Sequence, residues 1–195
     1  MNTPVPIILA ITILTAVLRP NLALSFATYF ALSDKLRIMT DNYTLRPLQP
    51  HDLSPMIALL PQLADFEIPQ RRNPRDLWAS DAELIKRVAA KQTPQSFADV
   101  VADTNNQALG LILVTLREEL LSHAPSAHLE AIVVAPHARG LGLGKMLLDH
   151  AEHRAQNLGA QSLTLHVFAN NTRARALYDA NNYDSELIRA IKWLT

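Results

Sequence analysis

The chain has 195 residues, 49% of them hydrophobic, with 18 basic and 18 acidic side chains and no cysteine. That length and apolar content suit one domain with a real core and a short appendage. Balanced charge argues against a general electrostatic grip on nucleic acid, and the missing thiols exclude disulfides, thiolate metal sites and a cysteine nucleophile. Seven histidines form no helical His-x-x-x-His pair beside a carboxylate, so no metal site is expected.

Composition changes near residue 40. Pro4 to Leu18 is apolar apart from Thr12 and Thr15, Arg19-Pro20 interrupts it, and Leu22 to Leu32 is apolar again. Neither run reaches the roughly 20 residues of a spanning helix, and the uncharged Met1-Asn2-Thr3 lacks the positive start of a secretory signal. Three readings stay open: a membrane or interface helix made from residues 4–32, an extra element packed on the domain, or upstream sequence joined to a protein that begins at Met39. The last is preferred. The expected organisation is an apolar extension over 1–40, weakly ordered or helical, and a domain over 41–195 in the cytoplasm.

Within the domain, Tyr43 to Arg46 alternates as a strand and stops at Pro47. Asp52 is placed to cap a helix to about Ala64, with Met56, Leu59, Leu60 and Leu63 as its stripe. Phe66 to Leu77 is irregular and holds Arg71, Arg72 and Arg75, which could bind an acidic acceptor but in this pattern are more often solvated. Ser80 to Glu83 fits a capping box before a helix bearing Leu84, Ile85 and Val88. Strands follow at Ala98–Ala102 and Leu109–Leu116, turned at Asn105-Asn106, then a loop from Glu118 to Ser126. Leu129 to Ala135 is an apolar strand with one acid, Glu130. A helix runs from Gly144 to Leu158, stopped by Gly159. A strand over Leu163–Phe168, a helix over Thr172–Ala180 and a last strand over Leu187–Leu194 complete the order. The order predicts an α+β fold: one central sheet, flanked by helices.

Arg139-Gly140-Leu141-Gly142-Leu143-Gly144 lies between that apolar strand and the helix. Three alternate glycines let backbone N–H groups approach a ligand unobstructed. The helix start adds unpaired donors and a dipole that favours anions, so a pyrophosphate fits. Arg139 and Lys145 add charge at the rim. A P-loop would need a hydroxyl after Gly144-Lys145, where Met146 stands, and a dinucleotide fingerprint would need glycine where Lys145 stands.

This pattern resembles the GNAT superfamily of N-acetyltransferases, whose signature is Gln/Arg-x-x-Gly-x-Gly/Ala; Arg139, Gly142 and Gly144 match it. A second match runs from Val167 through Asn171, Ala174 and Leu177 to Tyr178. The family's glycine-aromatic pair after the last helix appears as Asn182-Tyr183, and asparagine tolerates a left-handed turn. The resemblance spans roughly Tyr43 to Thr195. It implies a mixed, mostly antiparallel sheet whose fourth and fifth strands splay, and acetyl-CoA as co-substrate without a metal. The pantetheine arm would lie in the splay, bonded by backbone groups of Ile132 and Val134. Backbone groups from Arg139 to Lys145 would hold the pyrophosphate.

An amine must lose a proton before attacking a thioester, and Glu130 on the central strand is the candidate base. His128, two residues away, is an alternative base or substrate ligand. Tyr178 matches the family's proton donor to the CoA thiolate. Asn171 either bonds the arm or caps its helix. The expected activity is acetyl transfer to the amine of a small molecule. The alternatives are a protein or peptide N-acetyltransferase and a non-catalytic acyl-CoA-binding module. Expected partners are acetyl-CoA and an amine acceptor, with a homodimer admitted.

Overall fold

The computed structural model describes residues 42–194, and the compact unit from Tyr43 onward holds the elements below. The expectations for residues 1–40, including the choice of Met39 and membrane contact over residues 4–32, lie outside the described residues. Five strands form one sheet in sequence order: β1 (Tyr43–Pro47), β2 (Ser96–Asp103), β3 (Ala108–Glu118), β4 (Pro125–Val134) and β5 (Leu163–Leu165). Neighbours are antiparallel except β4 and β5, which are parallel. The helices are α1 (Leu53–Leu59), α2 (Ala79–Ala89), α3 (Leu143–Asn157) and α4 (Thr172–Asp179). The mixed, mostly antiparallel α+β sheet is as expected.

Alternation along the strands gives two cores, one on each side of the sheet. On one side Phe97, Val101, Ile112, Val114, Ala127 and Leu129 meet Leu147, Leu148 and Ala151 of α3 and Tyr178 of α4. On the other side Ala98, Val100, Leu111, Leu113, Ala131 and Val133 meet Met56 and Leu60, with Ala82 and Ile85 of α2. Gly110 on β3 has no room for a side chain: an added Cβ would lie 2.9 Å from the Val133 carbonyl oxygen and 3.2 Å from Leu147.

A buried carboxylate ties α3 to the sheet. Asp99 on β2 is fully buried, accepts a 2.8 Å bond from His150 Nε2 and pairs with the Arg154 guanidinium, which stacks 4.2 Å from the Phe97 ring centre. Burial pushes the Asp99 carboxyl up, but the bonds from His150 and Arg154 outweigh it, and its pKa ends below the ordinary value.

Several local expectations change. Asp52 does not cap α1. Its carboxylate turns back to accept from the Gln49 N–H at 2.8 Å and to hold Arg46 at 2.5 and 3.0 Å, joining β1 to the turn before α1. The predicted helix to Ala64 splits after Leu59 into a 3-10 turn with Pro61 near its start. The capping box at Ser80 does not form, because α2 starts earlier, with Ala82 N–H bonding the Trp78 carbonyl; Glu83 pairs instead with Lys86. The hairpin between β3 and β4 is tighter than the predicted loop, since Glu119 accepts from the N–H groups of Leu121 and Ser122. β5 ends at Leu165, short of Phe168. Leu187–Leu194 is not a strand: it has no regular structure, and Leu187, Ile188 and Leu194 are exposed. Within it, Trp193 meets Arg72, whose guanidinium stacks 5.2 Å from the ring centre. The turn at Asn106 and the stop at Gly159 are as expected, both left-handed.

Gly110→Ala should therefore lower the melting temperature by several degrees, on the order of 1–3 kcal/mol for overpacking. Asp99→Asn should remove about 2–4 kcal/mol in denaturant titration, since it leaves Arg154 without its buried partner. Because the folded pKa of Asp99 is lowered, its contribution is present above the unfolded pKa of about 3.9 and is lost as pH falls through the folded value. The variant should lose that acid-side dependence.

Candidate active site

β4 carries an irregularity at its centre. Leu113 pairs Ala131 and Val114 pairs Leu129, so Glu130 is the extra residue of a bulge. The bulge switches which side of the sheet each residue faces. Ala127 and Leu129 pack toward α3, whereas Ala131 and Val133 pack toward α1 and α2. Just there β5 leaves: β4 and β5 pair only at Ala127–Leu163, His128–Thr164 and Leu129–Leu165. From Glu130 to Val134 the β5 side of β4 has no strand beside it. This is the expected splay of the fourth and fifth strands, and Ile132 and Val134 lie within it.

At the end of β4, Pro136–Ala138 makes a 3-10 turn and the glycine segment follows. Gly140 and Gly142 have φ of 77° and 79°, where an L side chain is strained, and an added Cβ at Gly140 would meet nothing within 4 Å. Gly142 caps α3 and its carbonyl accepts from Met146, so the N–H groups of Leu143, Gly144 and Lys145 precede the first intrahelical bond. This open, donor-lined turn fits a pyrophosphate. Leu143 anchors it from inside at 1% exposure, while Leu141 points outward at 46%. Gly144 does a different job: its added Cβ would sit 3.5 Å from Leu177, so it faces α4.

The two rim cations have protein partners. Arg139 donates to Asp65 and Gln62, each at 2.8 Å, and Lys145 bonds Asp149 at 2.7 Å and Asn181 at 2.7 Å. Asp65 also meets Arg173 at 3.4 Å. Phe66 packs 5.5 Å from Phe168, and the Asn170 side chain donates to the Glu67 carbonyl. Residues 62–67 thus form a strap bound both to Arg139 and to the segment between β5 and α4. Sequence spacing gave no sign of it.

Tyr178 is 8% exposed, between α3 and the sheet, with its ring 5.7 Å from that of Tyr183. Burial pushes its phenol up to about 12. Tyr183 donates to Glu152 of α3 at 3.0 Å, and Asn182 is left-handed at φ 62°, as the departure at this position requires. The Asn171 Oδ1 accepts from Ala174 N–H at 3.2 Å and caps α4; its amide NH2 makes no hydrogen bond among the described residues. His128 is buried at 4%, with Nδ1 2.6 Å from Arg117 Nη2 and 2.8 Å from the Thr164 hydroxyl, and its ring 4.7 Å from that of His166. Burial first, then the Arg117 and His166 charges, push it down to about 4. A base that weak, already accepting from a guanidinium, is poorly suited to deprotonate an ammonium at neutral pH.

A sheet parted beside a glycine cradle defines the acyl-CoA-dependent acyltransferases as the class. The chain belongs to the acetyltransferase (GNAT) family, whose model matches residues 60–183. It is 28% identical over 142 residues to the uncharacterized N-acetyltransferase YhfO of Bacillus subtilis (strain 168), covering 73% of this chain and 90% of that one. The fold is similar to a putative acetyl transferase from Pyrococcus furiosus, with a TM-score of 0.63 at 20% identity over 78% of this chain and 99% of that one. It is also similar to AAC(6')-Iy, solved with a bisubstrate analog of CoA and acetylneamine, with a TM-score of 0.58 at 20% identity over 78% and 97%. Among the described residues no helix is long and apolar enough to cross a membrane.

Gly142→Ala places a Cβ at φ 79°, a strain of about 1–2 kcal/mol. Calorimetry should show acetyl-CoA affinity falling roughly tenfold, with a lower melting temperature for the free protein.

Proposed function

We propose that this acetyltransferase moves the acetyl group of acetyl-CoA to the amine of a small-molecule acceptor, with Glu130 as base and Tyr178 as acid. The observation that carries the reading is the position of Glu130. It is the bulged residue where β5 departs, at the start of the gap that the pantetheine arm would enter. The arm would bond backbone groups of Ile132 and Val134 and the Asn171 amide NH2. Backbone groups of Gly140, Leu141, Gly142, Leu143 and Gly144 would hold the pyrophosphate. Arg139 and Lys145 are already engaged by protein groups, so their share is to set the shape and charge of the rim.

The reaction runs by direct attack. Glu130 takes a proton from the acceptor ammonium. The amine forms the C–N bond, the C–S bond breaks, and Tyr178 protonates the departing thiolate. Burial keeps the phenol fully protonated until that moment. AAC(6')-Ih from Acinetobacter baumannii and the glucosamine-6-phosphate N-acetyltransferase from Arabidopsis thaliana share the fold and are named for small-molecule acceptors, which supports that choice of acceptor.

An amine panel with acetyl-CoA tests the reading directly. Glu130→Gln should lower kcat about 10²–10⁴-fold, as for a lost general base. Tyr178→Phe should lower kcat with little change in acetyl-CoA affinity. Full activity in both variants would remove both assignments.

A further inference from the structure

Arg117 on β3 is a guanidinium without an acid to answer it. It is exposed and makes no ion pair among the described residues, and the next residue, Glu118, meets His123 instead at 3.9 Å. Its Nη2 lies 2.6 Å from Nδ1 of His128 on β4. A guanidinium only donates, so Nδ1 is the acceptor and the ring proton sits on Nε2. The Thr164 hydroxyl of β5 lies 2.8 Å from the same Nδ1, and the His166 ring centre lies 4.7 Å from that of His128. These groups share one side of the sheet. Leu116, Ala127, Leu129, Leu163 and Leu165 pack toward α3, so Arg117, His128 and Thr164, which alternate with them, belong to the side of α1 and α2.

The cluster lies at the closed end of the gap. β4 and β5 pair last at Leu129–Leu165, so Glu130 on one strand and His166 on the other are the first residues beyond the ladder. His128 precedes Glu130 by two residues, roughly 7 Å along the strand. We propose that Arg117, positioned by His128, binds an anionic group on the acceptor, so the preferred acceptor is an amine that also carries a carboxylate or phosphate. The proposal rests on the acetyl-transfer reading with Glu130 as base and adds the second functional group of the acceptor. His128 is buried and neutral near pH 7, so it fixes the guanidinium without cancelling its charge. The donors of Arg117 that His128 does not use have the fork geometry that carboxylate and phosphate match.

Other cations around the opening are less suited. An incoming anion would have to take Arg139 or Arg173 from Asp65, and Arg72 and Arg75 are stacked on Trp193 and Trp78. At Arg117 the anion displaces only water, since the one protein partner is an uncharged ring nitrogen. The spacing also orients the acceptor. With its acid at Arg117, its nitrogen is directed along β4 toward Glu130, and the acid stays away from the base. At about 1.5 Å per bond, a separation of about four to six bonds between nitrogen and acid spans that distance.

The experiment gives the full-length protein acetyl-CoA and either acid-bearing amines (4-aminobutyrate, 6-aminohexanoate, 3-aminopropyl phosphate) or acid-free ones (butylamine, 1,4-diaminobutane). The wild type should favour the acid-bearing set by about tenfold or more in kcat/KM. Arg117→Gln should cut that ratio by about tenfold or more, mainly through KM, with acetyl-CoA affinity held within about twofold by calorimetry. Arg117→Lys should recover part of it. His128→Leu should lose the ratio in the same way, whereas His128→Asn, whose amide oxygen can accept from Arg117, should keep part of it. A role in packing alone would leave the ratio unmoved. Glu130→Gln should slow every amine alike. A wild type that treats both sets alike, or an unchanged ratio in Arg117→Gln, would overturn the anion site and leave acetyl transfer standing. Transfer to none of these amines, with acetyl-CoA bound, would overturn the acetyl-transfer reading and the anion site together.

Discussion

The parting of β4 from β5 is the constraint on which the molecule is organised. A sheet gains stability from continuous pairing, and every unpaired backbone group in a buried strand is costly unless something else satisfies it. Here pairing ends at Leu129–Leu165 although β4 continues to Val134. The bulge at Glu130 re-aims the strand at that point, where the ladder with β5 ends. The glycine turn stands at the far end of the gap. Acid and opening therefore share one strand, and the donors follow it in the chain.

The gap is kept open by rigid surroundings. α3 is fixed to the sheet by the Asp99 anchor and by Leu147 against Gly110, which sets the position of its N-terminal donors. α4 is held to α3 by Tyr183 on Glu152 and by Asn181 on Lys145. The strap at 62–67 reaches Arg139 of the signature and Arg173 of α4 through a single carboxylate, Asp65. The signature turn and α4 are thus tied to the same segment.

Much of this was legible as pattern. The alternation at Tyr43 and the apolar runs at Leu109 and Leu129 gave strands, and Leu147, Ala151 and Ala155 gave α3, because burial on one face or two imposes its pattern on the residues. The glycine segment was legible because Gly140 and Gly142 occupy a backbone region that other residues avoid. The last strand at Leu187–Leu194 was misread, since apolar content alone does not supply a pairing partner. Ser80 was read as a cap because its spacing to Glu83 is a local signal, whereas the earlier start of α2 at Trp78 is not.

The sequence by itself determined the class of fold, the cradle and the family, since each depends on local spacing or on backbone freedom written into residue type. Only the tertiary structure decided which charges meet. Asp99 with Arg154 and Asp65 with Arg139 are separated by tens of residues. No period links such pairs. Their distances follow from how helices and loops are laid on the two faces of the sheet.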